Sequence, residues 1–556
     1  MSGRGSSGLR IVDFGPTRTW FRPGSEAVVL LALDAQGGAV QARLEMFDDG
    51  RVVAATERQL RLEPGHSVRE FRLLVPRVPR HGYGLRVQLQ VGANSVEAHS
   101  AFEALDGWWE SPRHAALTQF GSASGIAPAI GRLRRWHVNV AQFYDWMYRH
   151  YRYLPPHGTS TFTDTLGRVV SHRVVRDLVR ACRRNGIASL AYGSVYGAEA
   201  EYVERHRAEL LYDAAGRPLS LGGTFFITDL RPQSPWRQRL IGEYLRACRR
   251  FGFDGVHMDQ YGEPHDGVAA DGSPVHLERL FPGLIDEADE RLRRLSPPRR
   301  VLFNCVGGWP LEQVVGSASA ATYIEVWPPD TTYIALLAQI EKARRLAPGK
   351  QIVLAAYPSV IASSIEHGQP SAGAIEAMLL LTSVVIAAGA YHHAVAEHDR
   401  VIVGGYYPDA VSLPRGAAEA MRLAWQFSAR YVHLLSAPGN ERLPREGFAL
   451  EADGRALPHS SEPSAGTVWL RPVKQDDGRI AVHLVDLLDQ SSDAWDAPQR
   501  PAVVRRNWRL SVPGPARRWL FASPGANGGL AQGLGSPPVL RVPAFKRWGM
   551  LIGEKD

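Results

Sequence analysis

Apolar and polar positions alternate in short runs over residues 1–108, the first of three regions that the pattern separates. Runs such as "AVVLLALDA" and "YGLRVQLQVG" are short and β-prone, and turn sequences such as "RPGS" and "DDG" lie between them. Strands at this spacing are typical of a β-sandwich. The pattern therefore predicts an immunoglobulin-like β-sandwich over residues 1–108.

Amphipathic helical stretches alternate with short apolar runs over residues 109–430. The stretches "HRVVRDLVRACRRNG" and "WRQRLIGEYLRACRRFG" each end at a glycine suited to a helix C-cap. Strands are expected at residues 115–120, 138–146, 187–195, 255–261, 301–306, 323–327, 351–357 and 390–395. Eight strands interleaved with helices predict a (β/α)8 TIM barrel, in which active sites lie at the carboxyl ends of the strands.

Residues 431–556 return to β-prone runs such as "GTVWLRPVKQ" and "RIAVHLVDLL", with proline and glycine between them. This pattern predicts a C-terminal β-sandwich. The expected protein is therefore multidomain, with a central barrel flanked by two sandwiches. A chain of 556 residues is also too long for one hydrophobic core.

Composition and charge restrict the possible functions. The apolar fraction of 45% and the charged fraction of 22% are ordinary for a soluble globular protein. Arginine supplies most of the net charge of +8 and lies late in the predicted helices, where cations suit the helix dipole. The basic stripe with interleaved aromatic residues that nucleic-acid-binding proteins carry is missing, so no nucleic-acid partner is expected.

The cysteines and the apolar runs exclude further classes of protein. The three cysteines, Cys182, Cys248 and Cys305, are an odd number without the spacing of a disulfide framework. The most apolar run, "AMLLLTSVVIAAGAY", is shorter than the roughly 18 residues of a membrane span and is expected to form a buried helix. The start "MSGRGSSGLR" lacks the apolar core of a signal peptide, so we expect a cytoplasmic protein unless a leader was removed.

Two predicted barrel strands carry a carboxylate where catalysis would occur. In "GVHMDQY", Val256 and Met258 suit packing against the helices, which directs His257 and Asp259 into the barrel mouth. In "YIEVW", two strands further along, the same alternation directs Glu325 inward. A carboxylate in so apolar a strand is costly to bury without a use. Pairing of Glu325 with a structural arginine remains the alternative.

Two carboxylates across a pocket rimmed by aromatic side chains are typical of glycosidic bond cleavage. One carboxylate must be ionised and the other protonated, so their environments must differ. Glu325, beside the apolar Trp327, fits the acid. Asp259, beside His257 and Tyr261, is expected to have more hydrogen-bond donors near it and fits the nucleophile.

These segments together resemble glycoside hydrolase family 66, the dextranases and cycloisomaltooligosaccharide glucanotransferases. The matching segments are "QFYDWMYRH" (142–150), "GFDGVHMDQYG" (252–262), "VLFNCVGGW" (301–309), "YIEVW" (323–327) and "GGYYPDAVSLP" (404–414). The resemblance implies that Asp259 is the nucleophile and Glu325 the general acid/base of a retaining double displacement. It implies cleavage of α-1,6 linkages in a dextran-type poly- or oligosaccharide, without metal or organic cofactor.

The resemblance also implies substrate contacts at the strand ends. The predicted substrate-binding residues are Tyr144, Asp145, Trp146, Tyr196, His257, Asn304 and Trp327. For Trp146 a place in the barrel core is the alternative, and for Asp145 a helix cap. Asn304 shares its alternation with Leu302 and binds a sugar hydroxyl if that side faces inward; otherwise it is a satisfied core amide.

One segment departs from the family pattern. Where the family has an acidic stretch after the last strand, this chain has "YHHAVAEHD". The spacing of His392, His393 and His398 fits no metal site, so core or rim positions are expected. Because this loop borders the cleft, the departure leaves the exact substrate open.

Two other functions remain possible. The first is a transglycosylase that forms cyclic or transferred isomaltooligosaccharides. The glucanotransferases of the family carry an extra carbohydrate-binding insertion in the barrel region, and the chain has no evident room for one, so hydrolysis is expected. The second is a non-catalytic glucan-binding protein that keeps the barrel as a scaffold.

Overall fold

The computed structural model describes residues 8–156, 159–514, 517–536 and 538–555. In the N-terminal region, one sheet contains Arg10–Pro16, Glu26–Ala35 and Gly65–Leu74, and a second contains Trp20–Phe21, Gly38–Asp48, Arg51–Leu62, His81–Val91 and Asn94–Ala104. Val29 of the first sheet and Leu44 and Val87 of the second are fully buried in one shared apolar core. The alternation of apolar residues along these strands therefore supplies the core between the two sheets.

The central region is built on one eleven-stranded sheet. Its strands are β1 (His114–Leu117), β2 (Val140–Phe143), β3 (Ala188–Ser194), β4 (Gly255–Asp259), β5 (Arg300–Val306), β6 (Thr322–Glu325), β7 (Ile352–Ala355), β8 (Tyr391–His392), β9 (Val395–Ala396), β10 (Arg400–Val401) and β11 (Val411–Ser412). Strands β1 to β8 are parallel, and each pairs with the next. Strand β9 pairs in parallel with β1. The segment 391–396 therefore pairs with β7 through β8 and with β1 through β9.

Helices occupy most connections between these strands. They are α1 (Ile126–Arg135), α2 (His172–Arg184), α3 (Pro235–Phe251), α4 (Leu277–Arg293), α5 (Tyr333–Leu346), α6 (Ala372–Ala387) and α7 (Arg415–Arg430), with short helices at Ala200–Val203, Leu311–Val314, Val360–Ser363 and Val432–Leu435. Helix α3 ends at Gly252, whose φ of +82° is the left-handed C-cap conformation that glycine adopts without strain. No helix in the described parts of the chain combines the length and apolarity needed to cross a bilayer.

The two sides of the central sheet have different cores. Val256 and Met258 of β4 pack in the cluster that includes the helices. Leu302 of β5 and Tyr323 of β6 belong to a second cluster on the opposite side of the strands. Alternation along each strand therefore separates the helix-facing residues from those that face the interior.

Additional short hairpins extend the loops after the strands. They pair Thr161–Thr163 with Val169–Ser171, Gly197–Ala198 and Ser220–Leu221 with Phe225–Ile227, Leu211–Tyr212 and Pro274–His276 with Asp266–Ala269, and Ile365–Glu366 with Gln369–Pro370. Six of the predicted strands end earlier than expected, and a seventh is divided. Strand β4 ends at Asp259 and β6 at Glu325, so Tyr261 and Trp327 lie in loops, and the expected strand at 390–395 consists of β8 and β9.

The C-terminal region contains two larger sheets. One has Glu441–Arg442, His459–Ser460, Val468–Lys474, Ile480–Asp486, Trp519–Ala522, Gln532–Gly535 and Trp548–Gly553; the other has Ala449–Ala452, Arg455–Ala456, Trp508–Ser511 and Val539–Val542; and Val504–Arg505 pairs with Phe545–Lys546. Leu484 and Leu510, one from each larger sheet, share an apolar core. Buried Arg430, at the end of α7, donates to the carbonyls of Ser100 and Gly528, each at 2.7 Å, and so connects the three regions.

Candidate active site

A cavity of about 380 Å³ opens where several central strands end. It is lined by Tyr144, Asp145, His150, Leu166, Tyr192, Leu221, Phe225, Asp259, Gln260, Tyr261, Val306, Glu325, Trp327 and Gly405. A larger cavity of about 560 Å³ lies beside α3, but its lining includes neither Asp259 nor Glu325. The smaller cavity is the candidate site because it holds both carboxylates among aromatic side chains, as sugar-binding clefts do.

The two carboxylates meet at one amide. Asp259 ends β4 and Glu325 ends β6, while Asn304 lies on β5 between them. The Asn304 Nδ2 group donates to Asp259 Oδ1 at 2.7 Å and to Glu325 Oε2 at 2.7 Å. Because both oxygens contact the same nitrogen, they cannot be farther apart than twice this distance. Asn304 therefore faces inward, and its amide contacts the carboxylates themselves.

Burial makes it difficult for both carboxylates to be ionised together. It raises the pKa of Asp259 to about 7, and the nearby charge of Glu325 adds to the rise, while hydrogen bonds from Asn304 and Tyr192 oppose it. Burial also raises the pKa of Glu325, against hydrogen bonds from Asn304, Tyr357 and Trp327. The pair titrates as a unit and holds one proton near neutral pH.

One alternative for the carboxylates is excluded, and one expectation about them is wrong. Within the described residues neither forms an ion pair with lysine or arginine, so Glu325 is not paired with a structural arginine. The donor to Asp259 is Asn304, with Tyr192 further lowering the pKa of that carboxyl, rather than its sequence neighbours His257 and Tyr261. The Tyr261 hydroxyl instead accepts a hydrogen bond from Ser194 at 2.8 Å.

Tyr144 and Asp145 both line the cavity. Their placement depends on the backbone at Asp145, which has a φ of +49°, a left-handed conformation that reverses the alternation of the strand. The Asp145 carboxylate lies 3.5 Å from His150 Nε2 and 3.5 Å from an Arg168 nitrogen, so it is not a helix cap. Burial alone lowers the pKa of His150, but the hydrogen bond and charge of Asp145 outweigh it, and the pKa is raised.

Trp146 and Tyr196, both predicted to bind substrate, do not line the cavity. The reversal at Asp145 turns the Trp146 ring away from the cavity, where it is fully buried against Phe251 and Phe253, each with a ring-centroid distance of 4.8 Å. This is the core position that sequence reasoning held as the alternative. Tyr196 is also fully buried, and its hydroxyl accepts a hydrogen bond from the Tyr261 backbone at 2.8 Å.

His257 faces the interior as predicted, but it lies below the cavity and does not line it. Burial lowers its pKa to about 3, so the ring is neutral, and its centroid lies 4.8 Å from that of Tyr323. The predicted contact of His257 with substrate is therefore not supported by its position. Trp327 does line the cavity, and its ring is 38% exposed at the rim.

The three histidines of "YHHAVAEHD" are separated in the structure. His392 hydrogen-bonds to Thr382 and to the Ala356 carbonyl, and His393 Nδ1 lies 2.7 Å from the Tyr323 hydroxyl. His398 lies in the turn after β9 with a φ of +63°. The first two are core residues, and the third is half-buried near the rim.

Sequence reasoning missed several residues of the site. Tyr192 lowers the pKa of Asp259 and Tyr357 lowers that of Glu325, and each lies at or just after the carboxyl end of a strand, a position that the sequence does indicate. Leu221 and Phe225 reach the cavity from the hairpin after β3, and Phe225 stacks on His150 at 4.5 Å. No local signal identifies these two, because their position depends on how the hairpin folds over the strand ends.

Comparison with known proteins confirms the family resemblance. The model of glycosyl hydrolase family 66 matches residues 18–551. A cycloisomaltooligosaccharide glucanotransferase of Niallia circulans is 26% identical over 383 residues, which cover 64% of this chain. The chain spans only 38% of the length of that relative.

Two solved structures show the fold. A cycloisomaltooligosaccharide glucanotransferase of Paenibacillus sp., solved in complex with cycloisomaltoheptaose, has a TM-score of 0.86 at 18% identity and covers 98% of this chain and 99% of its own. An α-amylase from Geobacillus thermoleovorans has a TM-score of 0.51 at 9% identity and covers 81% of this chain and 100% of its own. Because the family model matches nearly the whole sequence, this chain belongs to glycosyl hydrolase family 66.

Proposed function

We propose that this chain is a retaining glycoside hydrolase of α-1,6-linked glucan, with Asp259 as nucleophile and Glu325 as general acid/base. The observation that carries the proposal is the shared contact of both carboxylates with Asn304 Nδ2, 2.7 Å from each. Retaining pairs have carboxyl groups about 5–5.5 Å apart, whereas inverting pairs are about 6.5–9.5 Å apart to admit a water. The short bridge supports the retaining arrangement.

In the first step the Asp259 carboxylate attacks the anomeric carbon while Glu325 gives its proton to the departing glycosidic oxygen. The carbon–oxygen bond of the leaving sugar breaks as the bond to Asp259 forms. In the second step Glu325, now ionised, takes a proton from water, and the water oxygen displaces Asp259. Burial raises the pKa of both carboxylates, so the pair disfavours double ionisation, and the double displacement requires its remaining proton on Glu325.

The substrate assignment is supported by the relatives and by the cavity. The relatives are named for cycloisomaltooligosaccharides, which points to isomaltooligosaccharide-type glucan for this chain. Around the carboxylates, Tyr144, Tyr192 and Trp327 offer aromatic surface and hydrogen-bond donors to sugar rings and hydroxyls. The partner is therefore an α-glucan poly- or oligosaccharide.

Glycosyl transfer is the second candidate, because the relatives compared above are glucanotransferases. Transfer and hydrolysis share the glycosyl-enzyme and differ in whether a sugar hydroxyl or water accepts it. The longest connection between central strands, residues 195–254, contains short hairpins, a short helix and α3. The solved glucanotransferase aligns over 99% of its own length, so an extra insertion does not separate transfer from hydrolysis. Chromatography of the products from linear dextran distinguishes the two, since cyclic products would establish transfer.

We also infer that the central sheet is a (β/α)8 barrel between two β-sandwiches. The sequential parallel order of β1 to β8 and the pairing of segment 391–396 with both β7 and β1 support closure. In each flanking region two sheets share one apolar core, which supports the sandwiches. This arrangement puts Asp259 and Glu325 at the carboxyl ends of the barrel strands.

The direct test is reducing-sugar release from dextran, pullulan, starch and isomaltooligosaccharides. We expect release from dextran, and a loss of about 10³-fold or more in Asp259→Asn and in Glu325→Gln, with the folded structure retained. Glu290→Gln, on the exposed surface of α4, is the matched control and keeps full activity. Full activity in either active-site variant contradicts the assignment, and glucan binding without any release indicates a non-catalytic binding protein.

A fluorinated glucosyl fluoride tests retention independently of turnover. Such a reagent accumulates the glycosyl-enzyme because fluorine slows its hydrolysis. The anomeric fluoride leaves and the ring fluorine stays on the sugar, so mass spectrometry should find one added fluoroglucosyl group on the peptide that contains Asp259. Labelling at Glu325 instead would exchange the two roles.

A further inference from the structure

Four buried side chains form a hydrogen-bond chain that leads from Glu325 into the interior of the central sheet. Tyr357 lies two residues after Ala355, the β7 partner of Glu325, and lowers the pKa of the Glu325 carboxyl; its hydroxyl lies 2.7 Å from that of Tyr407. The Tyr407 hydroxyl lies 3.3 Å from that of Tyr323, which lies 2.7 Å from His393 Nδ1. We call Tyr357, Tyr407, Tyr323 and His393 the hydrogen-bond chain; all four are buried.

The direction of the hydrogen-bond chain is determined when Glu325 is ionised, because each tyrosine has one hydroxyl proton. When Tyr357 donates its proton to the ionised carboxylate, Tyr407 must donate to Tyr357. By the same reasoning Tyr323 donates to Tyr407, and His393 Nδ1–H donates to Tyr323. Burial lowers the pKa of His393 well below its usual value, so the ring is neutral and carries that single N–H.

All four donors therefore point toward Glu325, and each polarises the next. This matters because burial opposes ionisation of Glu325, which must nevertheless be a base in the second step. An arginine or lysine in this place would stabilise the ionised form so strongly that Glu325 could not act as an acid. The uncharged hydrogen-bond chain stabilises the ionised form of Glu325 more weakly, so that Glu325 can be either ionised or protonated.

Titratable groups from every neighbouring element surround Glu325. They are Asp259 on β4, Tyr192 on β3, Tyr144 and Asp145 at the end of β2, Tyr323 on β6, Tyr357 after β7, Tyr407 before β11, and His257 and His393 in the interior. Asp259 and Asp145 are the carboxylic acids among these, and the charges of Glu325 and Asp145 raise the pKa of Asp259. Tyr144 stacks on Tyr407 at 4.5 Å and holds that ring in the chain.

We propose that the hydrogen-bond chain positions protons toward Glu325 and so enables it to alternate between acid and base, an inference that rests on the proposed function. Its members act through Tyr357 and do not touch substrate, so they are positioning residues. The effect of removing a member should decrease with its distance from Glu325. That graded dependence distinguishes a polarised chain from ordinary core packing.

The test measures the protonation of Glu325 without turnover. In the Asp259→Asn background, infrared spectroscopy follows the carboxyl band that disappears in Glu325→Gln as the pH is changed. We expect Tyr357→Phe to raise the pKa of Glu325 by about one unit, because it removes a donor to the charged form. Tyr407→Phe should raise it by about half a unit and Tyr323→Phe by less, since they only weaken that donor.

A buried tyrosine that does not belong to the hydrogen-bond chain is the matched control. The Tyr333 hydroxyl in α5 has no hydrogen-bond partner among the described residues, so Tyr333→Phe should leave the titration unchanged. His393→Asn retains a donor near the Nδ1 position, so the pKa of Glu325 in this variant should stay close to that of wild type. His393→Leu removes the donor, and the pKa of Glu325 should differ from that of wild type. Thermal melting of each variant establishes that it is folded.

The outcomes separate the two proposals. If the pKa of Glu325 is the same in Tyr407→Phe as in Tyr333→Phe but is raised in Tyr357→Phe, the hydrogen-bond chain does not act beyond its first member. In that case the inference is wrong. If wild-type protein releases no sugar from any glucan, the proposed function is wrong. The infrared series still decides the hydrogen-bond chain in that case. In active protein, the alkaline limb of kcat/KM should move upward in the same order as the infrared pKa.

Discussion

Buried carboxylates lie at both ends of the central strands, and their surroundings differ. Before the amino ends of β1 and β2, Glu103 is fully buried and accepts hydrogen bonds from Arg113 at 2.6 Å, from Ser111 at 2.6 Å and from Asn139 at 2.9 Å. A second Arg113 nitrogen contacts its other oxygen. At the carboxyl ends, Asp259 and Glu325 share one neutral amide and have no cationic partner among the described residues.

The difference teaches how the same chemical group serves structure or chemistry. A carboxylate with a bidentate arginine and two further donors has one stable charge state, so its contribution is to hold the N-terminal region against the central sheet. A carboxylate pair with fewer donors than burial requires has a mobile proton. Incomplete compensation is therefore what makes the second pair suitable for acid–base catalysis.

The largest expected effect is on stability at the amino end. Glu103→Gln leaves Arg113 buried without its counter-charge and should lower the free energy of unfolding by about 3–5 kcal/mol. Asp259→Asn should leave stability unchanged or increase it, because the raised pKa means that ionised Asp259 opposes folding at neutral pH. Urea denaturation of both variants measures this, and an equal loss in the two would contradict the comparison.

The second prediction concerns pH. Below the raised pKa of Asp259, about 7, the pair keeps one proton; as the pH rises through this value, the proton is lost and no general acid remains. We expect kcat/KM on dextran to fall about tenfold per pH unit above this point. A rate that stays level to pH 9 or so would mean that the acid is not part of this pair.

Asn304 and Asn139 provide a matched pair of amides for the third prediction. Asn304→Ala removes a donor that lowers both carboxyl pKa values, so the alkaline limb of kcat/KM should move upward and the rate should fall about tenfold. Asn139→Ala removes a donor to Glu103 and should cost about 1–3 kcal/mol of stability without moving the pH profile. The same profile shift in both variants would remove the distinction between the two ends.

The smallest expected effect concerns two tryptophans. Trp327→Ala removes a half-exposed ring at the rim and should raise KM about 3–10-fold with little change in kcat, the size of one aromatic contact. Trp146→Phe, in the core, should lower the melting temperature and leave KM unchanged. Steady-state kinetics and thermal melting distinguish the two variants. A raised KM for Trp146→Phe would indicate that the Trp146 ring contacts substrate.

The inward and outward faces of the central strands were predictable, but the end of a strand was not. Val256 and Met258 pack with the helices, and Asp259 faces the interior, because alternation is imposed by the extended backbone. The same rule fails one residue after β2, where the left-handed Asp145 exchanges the sides. Aspartate tolerates that conformation, but nothing nearby in the sequence indicates that this one adopts it.

The sequence by itself determined the types of element, the order of the three regions, the family and the positions of the two candidate carboxylates. Burial and backbone geometry give strands and helices characteristic spacings of apolar residues, and these spacings can be recognised in the sequence. Only the tertiary structure decided which side chains meet those carboxylates. Asn304 bridges them because β4, β5 and β6 pair in one register, and Tyr192 and Tyr357 reach them from two further strands. Contacts between residues so distant along the chain depend on how strands are ordered and aligned. The local spacing of apolar residues contains no information about that order.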